Sequence, residues 1–292
     1  MKIGKDLLTI LLFLLPLYLF LIIMVFFPLF NVLIGSLGVS IFDIIKGREI
    51  SPTPMGYLKF VNPSEPYLES LIFTIEISLL ATLISIIAGY FFTIFIVLRG
   101  YKLTTMFTIP LFTPYIVGAF MWWTLLFPRG YVSTVINGIL MSLGVIERPI
   151  TMVNDPNGIG ILFGEVWIRF VIAVMMFYGP ISMIPKDLAD AARSLGASTW
   201  EVVKKVYIPM TKYSIIATSA IILLATMAGV SIPLVLGGSW PQFLNVMIYL
   251  DVTKTFNYLM AYVSGVFYLL SSVILGYIFF RFTTRRVIIQ VR

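Results

Sequence analysis

The chain has 292 residues, 60% of them apolar and only 11% charged, against about 45–50% and about 25% in ordinary soluble domains. A soluble fold has too little interior to hide that excess, so composition alone places the chain in a membrane. It has no Cys and no His, which excludes disulfides, thiolate nucleophiles, His-based acid–base chemistry and most transition-metal sites. No catalytic residue and no metal ligand set is expected. The net charge of +7 has the sign of a nucleic-acid binder, but in a hydrophobic chain it belongs to cytoplasmic loops.

A membrane-crossing helix needs about 20 mostly apolar residues. The first candidate, 7–37, carries no charge. It is far longer than the apolar core of a signal peptide and no small-residue cleavage site follows it, so an anchor helix is expected, kinked or ended by Pro16 and Pro28. Further crossings are expected at about 69–98, 105–127, 159–183, 213–236 and 259–280. The apolar stretch 138–145 is too short to cross and belongs in a partly buried outer loop. Six crossings make an all-α membrane protein with both termini on one side. They divide the chain into a first helix with its outer loop (1–66), a main transmembrane domain (67–281) and a basic tail (282–292).

Charge says which side the termini occupy. The N-terminus, the turn at 99–102, the loop at 184–212 and the segment 281–292 hold 13 Lys or Arg, Arg281, Arg285, Arg286 and Arg292 among them. The alternate loops hold six: Lys46, Arg48, Lys59, Arg129, Arg148 and Lys254. With acids included, the first set sums to +9, the second to −1, and the intramembrane Arg169, Glu76 and Glu165 to −1. Positive residues stay in the cytoplasm, so both termini and the 184–212 loop are expected there, in a multi-pass protein of the plasma membrane. Trp122, Trp123, Tyr131 and Trp240 fall near the outer boundaries, where amphipathic rings sit well.

The 184–212 loop is long and helical in pattern. Leu188, Ala191, Ala192 and Leu195 form one apolar stripe, Gly196 breaks the register, and Trp200, Val203, Val206 and Tyr207 form another. Pro209 is expected to stop the second helix. Such a pair either rests on lipid headgroups or fits a groove on a partner protein.

The run Asp190-Ala191-Ala192-Arg193-Ser194-Leu195-Gly196, then nine residues, then Val206-Tyr207-Ile208-Pro209, resembles the cytoplasmic signature of ABC importer permeases. It keeps the Ala-Ala, Gly and Pro at full spacing, with Asp190 where Glu is usual. Ser70-Leu71-Ile72-Phe73-Thr74, the segment Leu236-Gly237-Gly238-Ser239-Trp240-Pro241, and Phe256 to Ala261 are similar to the carbohydrate branch of that family, the maltose- and glycerol-phosphate-type importers. The resemblance covers about 67–281. It implies the type I importer fold, with Asp190, Ala191, Ala192, Leu195, Gly196, Trp200 and Pro209 coupling the permease to its ATPase. It also implies a second permease subunit in a heterodimer, two ATP-binding subunits and an extracellular solute-binding protein, beside membrane lipid. The chain has no P-loop, so ATP and Mg would be bound by the partner ATPases and this chain would carry no cofactor.

Charges inside crossings cost about 2.5–3.5 kcal/mol on insertion scales, and therefore face the bundle interior or water. Glu165 and Arg169, acid first and four apart, suit an ion pair. That pair either only holds its helix in the bundle or lines the outer part of a solute pathway; Glu76 can snorkel outward. A sugar would want aromatic faces and hydroxyls in a largely apolar cavity. Tyr178, Ser182, Thr226 and Ser231 offer these near irregular backbone at Gly179-Pro180, Gly229 and Pro233; helix packing accounts for each equally well. Gly160 and Gly164 mark a helix contact. The function implied is import of a sugar or small oligosaccharide. The alternatives are an importer for a polyamine, phosphate or metal complex, or an ion-coupled secondary transporter, though no inverted repeat is evident.

Overall fold

The computed structural model describes residues 2–40, 44–47, 51–101, 109–238 and 240–284, and side chains for all of these except 2–12, 280 and 282–284. Ser239, the start of the third expected crossing at 105–108, and Arg285, Arg286 and Arg292 of the tail lie outside them. The regular elements among the described residues are helices: α1 Lys2–Gly35, α2 Met55–Val61, α3 Tyr67–Leu98, α4 Ile109–Phe112, α5 Tyr115–Leu126, α6 Tyr131–Ser142, α7 Ile159–Ser182, α8 Lys186–Ser194, α9 Thr199–Val202, α10 Ile208–Met227, α11 Ser231–Leu236, α12 Leu244–Thr253 and α13 Tyr258–Thr284.

Among the described residues, five helical stretches are long and apolar enough to cross a bilayer: Phe13–Gly35, Tyr67–Leu98, Ile159–Ser182, Thr199–Met227 and Tyr258–Phe279. The expected third crossing is not a single helix over its described part. Pro114 separates α4 from the 12-residue α5, because proline has no N–H to give and biases the residue before it away from helix. The first helix differs in the opposite sense. Pro16 and Pro28 both lie inside α1 and neither ends it; membrane helices tolerate proline where the freed carbonyls find other partners.

The chain divides into two compact units. One holds Met1–Leu68 and Met247–Leu269. There Phe60 stacks on Phe267 at 3.9 Å and on Tyr67 at 6.1 Å, Ser36 and Tyr57 share a hydroxyl hydrogen bond of 2.6 Å, and Gly35 lies flat against the Tyr262 ring. Asp251 is buried and accepts from the Thr255 hydroxyl at 2.9 Å. Burial pushes its carboxyl up, against the lowering effects of Thr255 and Tyr67.

The other unit holds Glu69–Val246 and Leu270–Arg292. Its organisation is legible along α3, whose exposed side is apolar and whose buried side mixes hydroxyl and apolar residues. Ile72, Leu79, Leu83, Ile87, Phe91 and Phe95 are exposed, while Ser70, Thr74, Ser78, Thr82, Ser85 and Thr93 are buried. That is the reverse of a water-soluble helix and the arrangement a lipid solvent selects, since small residues let helices approach closely. A side chain at Gly89 would collide with Ala173 of α7. The Tyr90 ring meets Phe177 edge-on at 5.1 Å, and its hydroxyl bonds Thr211 of α10 at 2.6 Å. Asp155 caps α7, accepting from the backbone N–H of Asn157, Ile159 and Gly160 at 3.0–3.3 Å. Gly160 lies under the Met152 carbonyl and Gly164 under Ile232 and Leu236, so both permit close packing.

The expected fifth crossing, 213–236, is broken. α10 ends at Met227 and α11 begins at Ser231. Nor does Pro209 stop the helix before it. α9 runs through a π-turn at Val203–Tyr207 into α10, with Pro209 in its first turn. Because the helix is continuous there, Pro209 forgoes one bond to the preceding turn, and the wider π-turn, closed by Ile208 N–H on the Val203 carbonyl, makes room for the ring.

Candidate functional site

Two places gather the residues singled out by sequence. They lie at the end of α7 and along its first half, within one unit.

At the end of α7 the chain turns into α8, bends and returns through α9. The bend is a Schellman motif: Ala197 N–H reaches the Ala192 carbonyl at 3.0 Å and Gly196 N–H the Arg193 carbonyl at 2.8 Å. It needs a left-handed residue, and Gly196 has φ +87° with open space around it. The constraint on Gly196 is therefore backbone conformation, not crowding. α9 starts from a capping box, in which Ser198 Oγ accepts from Glu201 N–H and Glu201 Oε2 from Ser198 N–H. The first turns after it, with Glu201, Lys204, Lys205 and Lys212, are too polar for the bilayer; the apolar run begins at Tyr213. The Ser198 N–H, then Lys205 at 3.0 Å, hold the Glu201 carboxyl down to about 2.

The two apolar stripes do not face the same way. Val203 and Tyr207 are buried and Val206 half-buried, whereas Leu188, Ala191, Leu195 and Trp200 are exposed, Leu195 by 90%. Inward from α8 points Ala189, which the periodic pattern passed over. Trp200 lies over the Phe91 ring at 5.9 Å. Ala192 is half-buried, and the exposed Asp190 pairs with Arg193 at 3.3 Å. Pro209 is exposed on the first turn of α10.

Along α7, Glu165 and Arg169 are 1% and 3% exposed and joined at 2.9 Å. Arg169 also reaches α10, where Nε donates to Thr226 Oγ1 at 3.0 Å and Nη2 to the Ala225 carbonyl at 2.8 Å. That carbonyl lies in the last turn of α10, and the N–H that would have met it, Gly229, turns to Thr226 instead at 3.1 Å. Arg169 is thus a cationic cap on a helix C-terminus. Asn245 does the same for the Met227 carbonyl through its side-chain amide. The break at 228–230 is tight: a side chain at Gly229 would meet Glu165 Oε1 at 3.0 Å.

Beside the break is a cavity of about 380 Å³, lined by Tyr115, Glu165, Arg169, Gly229, Ser231 and Ile232 among others. The Arg169 guanidinium carbon lies 5.8 Å from the Tyr115 ring centre. Glu165, Arg169, Thr226 and Ser231 therefore come together. Ser182 does not: it sits 13 residues further along α7, about 20 Å away at 1.5 Å per residue, in a smaller cavity of about 110 Å³ with Lys186, Asp190, Arg193 and Tyr207. Tyr178, half-buried, lines neither cavity. Tyr115 was not singled out by sequence; its place directly after Thr113-Pro114, where the expected crossing breaks, was the available signal. Among the described residues no group of three acidic side chains could hold a metal ion.

No protein-family model matches the chain. It is 29% identical to the spermidine/putrescine transport system permease protein of Escherichia coli (strain K12) over 187 residues, which cover 63% of this chain and 65% of that relative. The chain thus matches somewhat less than two thirds of the relative's length. A crystal structure of a bacterial ABC transporter involved in the import of the acidic polysaccharide alginate superposes with a TM-score of 0.74 at 16% identity, over 98% of this chain and 99% of that one. The same kind of transporter, in complex with alginate pentasaccharide-bound periplasmic protein, superposes with a TM-score of 0.72 at 16% identity, over 98% and 96%. The fold is the type I fold of ABC importer permeases, and the relative that the chain resembles in sequence is itself a transport-system permease.

Proposed function

We propose that the chain is the membrane-spanning permease subunit of an ATP-driven importer, and that its solute is a small organic cation of the polyamine class. The solute reading is carried by the 187-residue likeness to a spermidine/putrescine permease. The cavity at the α10 break does not itself select a cation, because its one acid, Glu165, is already paired with Arg169 and the guanidinium also lines it. A carbohydrate solute has weaker support. The Gly237-Gly238 pair of the carbohydrate-like segment is accounted for by packing, since Gly237 pairs with Asp155 and Gly238 lies against the Asn154 carbonyl.

Energy would come from two separate ATP-binding subunits, holding ATP and Mg, seated against the exposed Leu188, Ala191, Leu195 and Trp200. The other proposed partners are a second permease subunit completing the pore and an extracellular binding protein delivering the solute. Both termini and the α8–α9 bend would then be cytoplasmic, as the Lys and Arg distribution requires. Movement at the bend reaches α7 and α10 directly, because it joins them, and α10 carries the break beside the cavity.

Deleting the chain from its own cell and restoring it tests the solute. Uptake of labelled spermidine should disappear and return, with excess unlabelled putrescine competing and maltose not. Loss of sugar uptake with amine uptake unchanged would overturn the polyamine reading.

A further inference from the structure

α6, Tyr131–Ser142, is built inside out. Two of its polar residues, Ser133 and Asn137, are buried while Thr134 and Ser142 are exposed, and Asn137 is clamped to the chain after the helix by two hydrogen bonds. Its amide donates to the Ile150 carbonyl at 3.1 Å and its carbonyl accepts from Ile150 N–H at 2.9 Å. The opposite face is apolar and bare: Tyr131 is 86% exposed, Val135 60% and Ile139 53%, and it continues into Leu143 and Val145 at 70% and 65%. No charge interrupts 131–145, while the exposed Arg129 and Arg148 stand at either end. At 12 residues the helix is about 18 Å long, too short to cross. It lies at the Ile159 end of α7, away from the α8–α9 bend.

We infer that α6 is an interfacial helix, lying along the membrane surface with Tyr131, Val135 and Ile139 in the acyl boundary and Arg129 and Arg148 on lipid phosphates. Two arguments select lipid as the occupant. Arg129 and Arg148, against the single exposed acid Glu147, leave the flanks net positive toward anionic headgroups, as in helices that bind bilayers in the plane. A soluble partner that docks and departs would leave the apolar face in water at each departure, whereas lipid is always there. Asn137 then fixes the helix at the correct height by tying its inner face to Ile150. This goes beyond the solute assignment and does not depend on it.

The native chain lacks Cys, so single nitroxide labels can be placed without removing anything. The full chain carrying Val135→Cys or Ile139→Cys, with Glu147→Cys as the water-facing control, is reconstituted in vesicles of phosphatidylethanolamine and phosphatidylglycerol. The ratio of collisions with oxygen to those with a water-soluble nickel chelate should be at least about threefold higher at 135 and 139 than at 147. A ratio equal to that at 147 would place the face in water and overturn the inference. So would immobile labels shielded from both reagents, or spin–spin broadening that grows with protein-to-lipid ratio, since these mean a protein cover or a second copy of the chain. All three positions are exposed, so the substitutions leave the core intact, and the position 147 label reports on whether the chain inserted.

Discussion

Arg169 and Glu165 are bound to each other at 2.9 Å in the interior of the bundle, and the same guanidinium closes the end of a second helix through the Ala225 carbonyl. One side chain thereby neutralises an intramembrane acid and holds the break in α10 beside the cavity.

Removing one partner of this pair is expected to be far worse than removing both. Arg169→Leu strands a buried carboxylate and an uncapped carbonyl, a loss of about 3–5 kcal/mol for breaking a buried pair. Arg169→Leu combined with Glu165→Leu removes the stranded charge and should recover most of that. Thermal unfolding of the two purified variants in detergent checks the order; equal loss in both would show that the charges do not interact energetically.

Gly196 tests the bend. At φ +87° any L residue with a β-branch is strained, by about 1–2 kcal/mol, although there is room for the side chain itself. Gly196→Val should insert and fold normally but fail to transport, whereas Gly196→Asn, which tolerates the left-handed region, should keep most uptake. Equal uptake by wild type and Gly196→Val at matched expression would refute the role given to the bend.

The cap at the start of α9 makes a separate prediction. Ser198→Ala removes the acceptor for Glu201 N–H and should speed amide exchange in the first turn of α9 by about fivefold, with little change in the core of α7. The sign of its pH dependence follows from the lowered Glu201 carboxyl. The cap's contribution is complete above the ordinary carboxyl range near 4.5 and is lost only as pH falls through about 2. Amide exchange that is unchanged in Ser198→Ala would mean that the hydrogen bonds of the box do not hold the turn.

Much of this was legible in the residues, and what was not had physical reasons. Composition and charge distribution place the chain in a membrane, and the Asp190 to Pro209 spacing locates the bend at Gly196, because a C-terminal glycine is a local signal. The Glu165–Arg169 pairing follows from helix spacing alone. The break after Met227 is signalled only as irregular backbone at Gly229 and Pro233, because what holds it, Arg169 and Asn245, is far away in sequence. Ser182 was grouped with Thr226 by chemistry, but 13 residues of helix separate it from Arg169. The apolar stripe of α8 is exposed, as a face for lipid or a partner would be, but a stripe alone does not say which of the two it meets. The hydroxyl row on α3, spaced by three and four, was available and lies on the buried side of that helix.

The hydroxyl pair joining α3 to α10 offers an asymmetric test. Tyr90→Phe leaves Thr211 still bonded to the Tyr207 carbonyl at 2.8 Å and should cost about 1 kcal/mol. Thr211→Val leaves a buried Tyr90 hydroxyl without its partner and should cost more, up to about 3 kcal/mol. Denaturation midpoints of the two variants in the same detergent decide it; the reverse order would contradict the geometry.

The central claim is that this chain moves its solute on energy received from another protein. The direct measurement is uptake of labelled spermidine into vesicles containing the chain with its co-purified partners and the binding protein outside. Uptake is predicted only when ATP is present on the side of the α8–α9 bend, with no response to an imposed proton or sodium gradient. Uptake driven by such a gradient without ATP would contradict the account.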